Sequence, residues 1–159
     1  MGDAAAPGVR LRTARREDVP AIVALHAADV LGASREDAAD LAPYLAAFDA
    51  IAAAPGCDLL VAEDAATGAV VGCLELVLTP GLTHRGALKA TLEGVQVAAQ
   101  HRGRGIGAAL VRHALDLARA RGATKVALTS HRTRADAHRF YERLGFAGTH
   151  LGMKRDLLD

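Results

Sequence analysis

Apolar positions along the chain follow two periods, near two and near 3.6 residues, and the switches between them mark its elements. "VRLRTA" (9–14) alternates and predicts a short first strand. "REDVPAIVALHAADVL" (16–31) follows with helical spacing, and Asp18 and Pro20 mark its first turn. Ser34-Arg35-Glu36-Asp37 reads as a capping box opening a second helix, with Leu41, Tyr44, Leu45, Phe48 and Ala52 on one face. Pro55 and Gly56-Cys57 end it. "DLLVAED" (58–64) and "AVVGCLELVL" (69–78) flank a short turn and predict a hairpin. "TPGLTHRG" (79–86) is a loop.

The next segment, 87–97, changes parity. Leu88, Ala90 and Leu92 are apolar at even positions, whereas Val95 and Val97 are apolar at odd ones. A regular strand cannot move its apolar face without an extra residue, so Leu92-Glu93-Gly94 predicts a β-bulge. Glu93 is the side chain at that switch. A glutamate so placed is either a surface residue beside a kink or a group aimed at a site.

A helix then opens after Gly103–Gly107, with Ile106, Ala109, Leu110, His113, Ala114 and Leu117 on its apolar face, and Arg121-Gly122 stops it. "KVALTS" (125–130) predicts a strand. Residues 134–146 predict a helix with Ala137, Phe140, Tyr141 and Leu144 on one face and Gly145 at its C-cap. Residues 147–157 can pair as a final strand. The order β-α-α-β-β-β-α-β-α-β implies an α/β fold with a mixed sheet. Its strand–helix–strand crossover requires parallel neighbours.

With 159 residues the chain suits one domain spanning 1–159, with a core of about 8–156. Its 19 basic and 18 acidic residues give a formal net charge of +1. That balance offers no global attraction to nucleic acid or an anionic membrane. Cys57 and Cys73 form neither a disulfide framework nor a metal-ligand spacing, and both read as small core residues. No metal is expected. The first ten residues lack the pattern of a signal peptide, and no stretch has the apolar length of a membrane span, so the expected location is the cytoplasm.

The densest chemistry lies in "QHRGRGIGAALVRHAL" (100–115), a glycine-rich turn opening a helix. Uncapped N–H groups at such a turn suit a phosphate. A P-loop needs Lys-Ser/Thr after its last glycine, but Ala108-Ala109 follow Gly107. Gly103, Gly105 and Ala108 do satisfy a dinucleotide fingerprint, yet no acid ends the following strand to bind a ribose, which weakens that reading.

Gln100-x-x-Gly103-x-Gly105 resembles the Q/R-x-x-G-x-G/A motif of the GNAT family of N-acetyltransferases. "EGVQV" (93–97) is similar to that family's fourth strand, "RRED" (15–18) to its first-helix entry, and "LTSHRTRADAHRFYERLGF" (128–146) to its last strand–helix region. "ADAHRFY" (135–141) also resembles the aminoalkylphosphonate acetyltransferase branch. The resemblance implies acetyl-CoA as cosubstrate and a primary amine, on a small molecule or a peptide, as acceptor. It implies direct attack in a ternary complex; a non-catalytic acyl-CoA-binding module is the alternative. Val95, Gln96 and Val97 would meet pantetheine, with the Val97 N–H on the thioester carbonyl. Gln100, Arg102, Gly103, Arg104, Gly105, Ile106 and Gly107 would surround the pyrophosphate, and Ala137 and Phe140 would complete the cosubstrate's surroundings. Glu93 would accept the amine's proton, and Tyr141 would donate to the departing thiolate. Many members carry asparagine where this chain has Arg134, which then contacts CoA or the acceptor. A homodimer is compatible with the family.

Overall fold

A computed structural model describes residues 6–29 and 34–157. Five strands form one sheet in sequential order: β1 (Val9–Thr13), β2 (Cys57–Asp64), β3 (Val70–Pro80), β4 (Leu88–Val97) and β5 (Ala123–Leu128). The first four pair antiparallel, and β5 lies parallel to β4. Between β4 and β5 runs helix α4 (Ile106–Ala120), the crossover that parallel pairing demands. Two further helices, α1 (Val19–Ala27) and α2 (Ala42–Ala53), precede the β2–β3 hairpin, and α5 (Ala135–Arg143) follows β5. Thr83–Gly86 forms a single turn, α3, in which His84 and Arg85 take left-handed backbone angles, so this part of the β3–β4 connection remains a loop in substance.

Strand alternation sorts the core into two layers. Leu60, Leu74, Leu76, Leu78, Ala90 and Leu92 face α4, which meets them with Ile106, Ala109, Leu110, Val111, Ala114 and Ala118. His113 and Leu117 sit at the edge of that face and are half-buried. Full burial of a side chain such as Leu110 contributes about 2 kcal/mol. On the opposite face Leu59, Val61 and Cys73 pack against Ile22 of α1 and Phe48 and Ile51 of α2. A buried ion network closes the β1 edge: Arg12 binds Asp18 with Nη1 at 2.7 Å and Glu63 with Nε at 2.7 Å, and Asp18 also accepts the Arg15 N–H at 2.7 Å.

Three expectations need correction. The Ser34–Asp37 capping box does not form, and α2 begins only at Ala42. Pro43 explains this: lacking an N–H, it fits the first turn of a helix but not the interior. Residues before it are held instead by side chains, with Asp40 accepting the Ala42 N–H and the Tyr44 hydroxyl accepting the Asp37 N–H. The helix expected over 16–31 comprises a 3-10 turn at Arg16–Asp18 and α1, which stops at Ala27; Val30 and Leu31 lie outside the described residues. The final strand expected over 147–157 is absent from the sheet. Leu151 and Met153 are 87% and 91% exposed, with Gly148 before them and Gly152 between them, so this stretch buries no apolar face to set a strand register.

Candidate active site

The bulge falls where the parity change placed it. Cys73 pairs with Gln96 and Glu75 with Glu93, so Gly94 and Val95 together oppose Leu74. Gly94 takes φ +58, and a Cβ there would lie 3.0 Å from Cε1 of His26. Glycine is thus required both by backbone angle and by the close approach of α1. Beyond the bulge Val95 and Val97 return to the α4 side and pack on that layer.

On its other edge β4 outruns its ladder with β5, which ends at Leu128. Pairing of β4 with β5 runs from Leu88 to Leu92 and stops, while β4 continues to Val97. Residues Glu93–Val97 therefore present backbone groups toward β5 with no ladder partner. The gap between the strands has the form of a slot into which an extended, amide-bearing chain fits by pairing as a strand would.

At the slot's end, the turn 99–105 leads into α4. Gly103 and Gly105 have φ +76 and +79, the left-handed geometry read from the motif. Gly105 is the N-cap of α4 and no side chain caps the helix, so the N–H groups of Ile106, Gly107 and Ala108 are free of intrahelical partners. With the helix dipole behind them they can bind an anion. Gly107 answers a packing need: a Cβ there would sit 3.3 Å from Cζ of Phe140 and 3.5 Å from Cγ2 of Val97. Gln100 is exposed on the 3-10 turn Ala99–His101. Arg102 folds back, its Nε donating to the Val97 carbonyl at 3.1 Å. Arg104 lines a separate depression of about 410 Å³ with Asp64, His101 and Ile106, on the β1 side of the turn.

The α5 residues bring Ala137, Phe140 and Tyr141 half-buried to the same end of the sheet. Tyr141 meets Phe140 and Phe146 edge-on, with ring centroids 5.0 and 5.8 Å away. Burial pushes its pKa above the ordinary value, and nearby Arg134 opposes the shift only in part. The phenol is therefore protonated at neutral pH and available as a donor. Arg134 reaches across to α1's end, donating to Asp29 at 3.3 Å.

Two groups here were not singled out by sequence reasoning. His26 comes from α1, and its Nε2 lies 3.8 Å from the Cys73 sulfur. Glu75, directly opposite Glu93 on β3, is half-buried, and its carboxyl pKa is raised chiefly by burial and further by Glu93, against the pull of His26. Cys73, read from the sequence as a small core residue, is buried and lies beside Glu75 and His26. Its thiol is pushed up to about 12, chiefly by burial and also by Glu75. A thiol so protonated is a poor nucleophile despite its histidine neighbour. The described residues contain no group of three histidine, cysteine, aspartate or glutamate side chains arranged to hold a metal ion, and no helix among them is long and apolar enough to cross a membrane.

Comparison with known proteins agrees with this geometry. A streptothricin acetyltransferase of Streptomyces lavendulae is 48% identical over 59 residues, 37% of this chain and 31% of that protein. A glucosamine 6-phosphate N-acetyltransferase of Trypanosoma brucei brucei is 35% identical over 91 residues, 57% of this chain and 60% of that protein. The matched regions thus span about a third and three fifths of these two relatives' lengths. The crystal structure of a transcriptional regulator from Bacillus halodurans C-125 superposes with a TM-score of 0.90 at 38% identity, covering 94% of this chain and 99% of that one. The model of the acetyltransferase (GNAT) family matches residues 22–146, a span that includes the bulge, the glycine turn and α5, and the chain belongs to that family.

Proposed function

We propose that this chain transfers the acetyl group of acetyl-CoA to a primary amine by direct attack within a ternary complex. The observation that carries the reading is the end of the β4–β5 ladder at Leu92 beside an uncapped α4 N-terminus. In this reading the pyrophosphate rests on the N–H groups of Ile106, Gly107 and Ala108. Pantetheine lies along Val95–Val97, and the Val97 N–H steadies the oxyanion of the tetrahedral intermediate. Glu93 removes a proton from the arriving ammonium, directly or through water, because only the neutral amine has a lone pair to attack with. Tyr141 gives its proton to the departing thiolate. The buried, protonated Cys73 speaks against an acetyl-cysteine intermediate.

The test is thiol release from acetyl-CoA across a panel of primary amines that includes glucosamine 6-phosphate and streptothricin, the acceptors named for two relatives. Amine-dependent release with formation of the acetamide is the expected result. A second reading, a non-catalytic acyl-CoA-binding module, draws on the Bacillus halodurans relative described as a transcriptional regulator. Thermal protection by CoA with no acetylation across the panel would favour that module.

A further inference from the structure

We propose that Glu75 is a catalytic residue, and that it and Glu93 act together as one base for an acceptor whose nitrogen arrives as an alkylammonium. The inference rests on the acetyltransferase reading above and deepens it. Glu75 follows Cys73 on the β3 face that packs against α1, and it stands opposite Glu93 at the bulge. In an antiparallel pair, opposed residues project to the same side, so the two carboxylates share one face of the sheet. Among the described residues Glu75 has no hydrogen bond and no ion-pair partner, although it is half-buried.

The surroundings define what the pair meets. His26 comes from α1, Glu93 from β4, and the protonated Cys73 from β3 itself, while β2 presents Leu59 opposite Glu75. Arg134, at the N-cap of α5, is engaged with Asp29. A half-buried carboxylate left unpaired beside a second one invites a cation. The ammonium of a strongly basic amine meets that need and brings the proton that the reaction must remove.

The proton balance closes. One ammonium N–H bond breaks and its proton passes to the pair, which later yields it to water. The freed lone pair forms the C–N bond to the thioester carbon, and the C–S bond breaks. The nitrogen's second proton makes good the one that Tyr141 gives the thiolate, and the third stays on the amide. Burial, and further the facing Glu93, raises the affinity of Glu75 for a proton, in the direction that suits a general base.

Ethylamine and 2,2,2-trifluoroethylamine separate this role from a structural one, because the second is already neutral at pH 7. Glu75→Gln is expected to slow acetylation of ethylamine about a hundredfold, with the acid limb of the rate profile moved to lower pH. With trifluoroethylamine the variant should stay within about threefold of wild type, since no ammonium proton has to be removed. Glu93→Gln should move the same limb in the same direction. In the full chain, carbon NMR of the glutamate carboxyls should show the Glu75 midpoint falling in Glu93→Gln. Equal losses with both amines, or a wild-type rate and limb in Glu75→Gln, would overturn the role of Glu75. An unmoved Glu75 midpoint would overturn the pairing. Absence of turnover with every amine would instead sink the acetyltransferase reading, and the NMR titration would still decide whether the pair exists.

Discussion

Gly107 of α4 and Phe140 of α5 approach so closely that a single methyl group on Gly107 would stand 3.3 Å from the ring's Cζ. Phe140 thereby packs against the first turn of α4, where the N–H groups of Ile106, Gly107 and Ala108 are free. Gly107→Ala gains about 1 kcal/mol of helix propensity and loses about 1–3 kcal/mol to overpacking. The expected outcome is a small net loss in melting temperature with a clear rise in KM for acetyl-CoA. Calorimetry and steady-state kinetics on the same preparation check it. An unchanged KM would remove the contact from a role in cosubstrate binding.

Tyr141→Phe removes one oxygen and leaves the edge-on packing with Phe140 and Phe146 in place. Turnover is expected to fall on the order of a hundredfold, the low end for loss of a positioned proton donor. Affinity for acetyl-CoA should barely change. Measuring kcat alongside the Kd for acetyl-CoA decides it, and an unchanged kcat would excuse the phenol from catalysis.

Asp18 is held by Arg12 and by the Arg15 N–H, and these bonds keep its carboxyl below the usual range despite its burial. A carboxyl depressed in the folded state contributes stability above its unfolded pKa, and that contribution is lost as pH falls through the folded value. Asp18→Asn leaves the part-buried Arg12 guanidinium only partly matched by Glu63 and is expected to cost about 2 kcal/mol near neutral pH. The gap from wild type should narrow steadily below about pH 4. Urea titrations at several pH values test this; a pH-independent gap would locate the loss in packing instead.

Glu75 has the opposite sign. Its carboxyl titrates above the ordinary value, so ionisation at neutral pH opposes folding, and the penalty is relieved as pH falls through the folded pKa. Glu75→Gln should therefore melt higher than wild type at pH 7, with the advantage fading toward pH 4. The expected trade is greater stability for lower activity toward basic amines.

The pattern of the chain revealed the site unevenly. The move from Leu92 to Val95 disclosed the bulge because apolar side chains must stay with their layer. The glycine turn was equally legible, since Gly103 and Gly105 do require left-handed angles. Glu75 escaped notice because a polar residue between Leu74 and Leu76 looks like the solvent face of a half-buried strand. Only α1, arriving from fifty residues earlier in the chain, turns that face into an interior wall with His26 on it. The start of α2 was misplaced because Ser34–Asp37 carries a valid capping signature, and the veto lies downstream in Pro43. The expected final strand failed for want of any layer to receive Leu151 and Met153.

The register around Gly94 has a genetic corollary. If that one residue were deleted, Val95 would fall opposite Leu74, Gln96 would stay opposite Cys73 and Val97 opposite Gly72, with every side chain on the face it now occupies. The sheet would run unbroken and no core residue would be displaced. A single codon thus separates this strand from an unbulged one with the same apolar face. Such a deletant should melt at or above the wild-type temperature and fail to bind CoA.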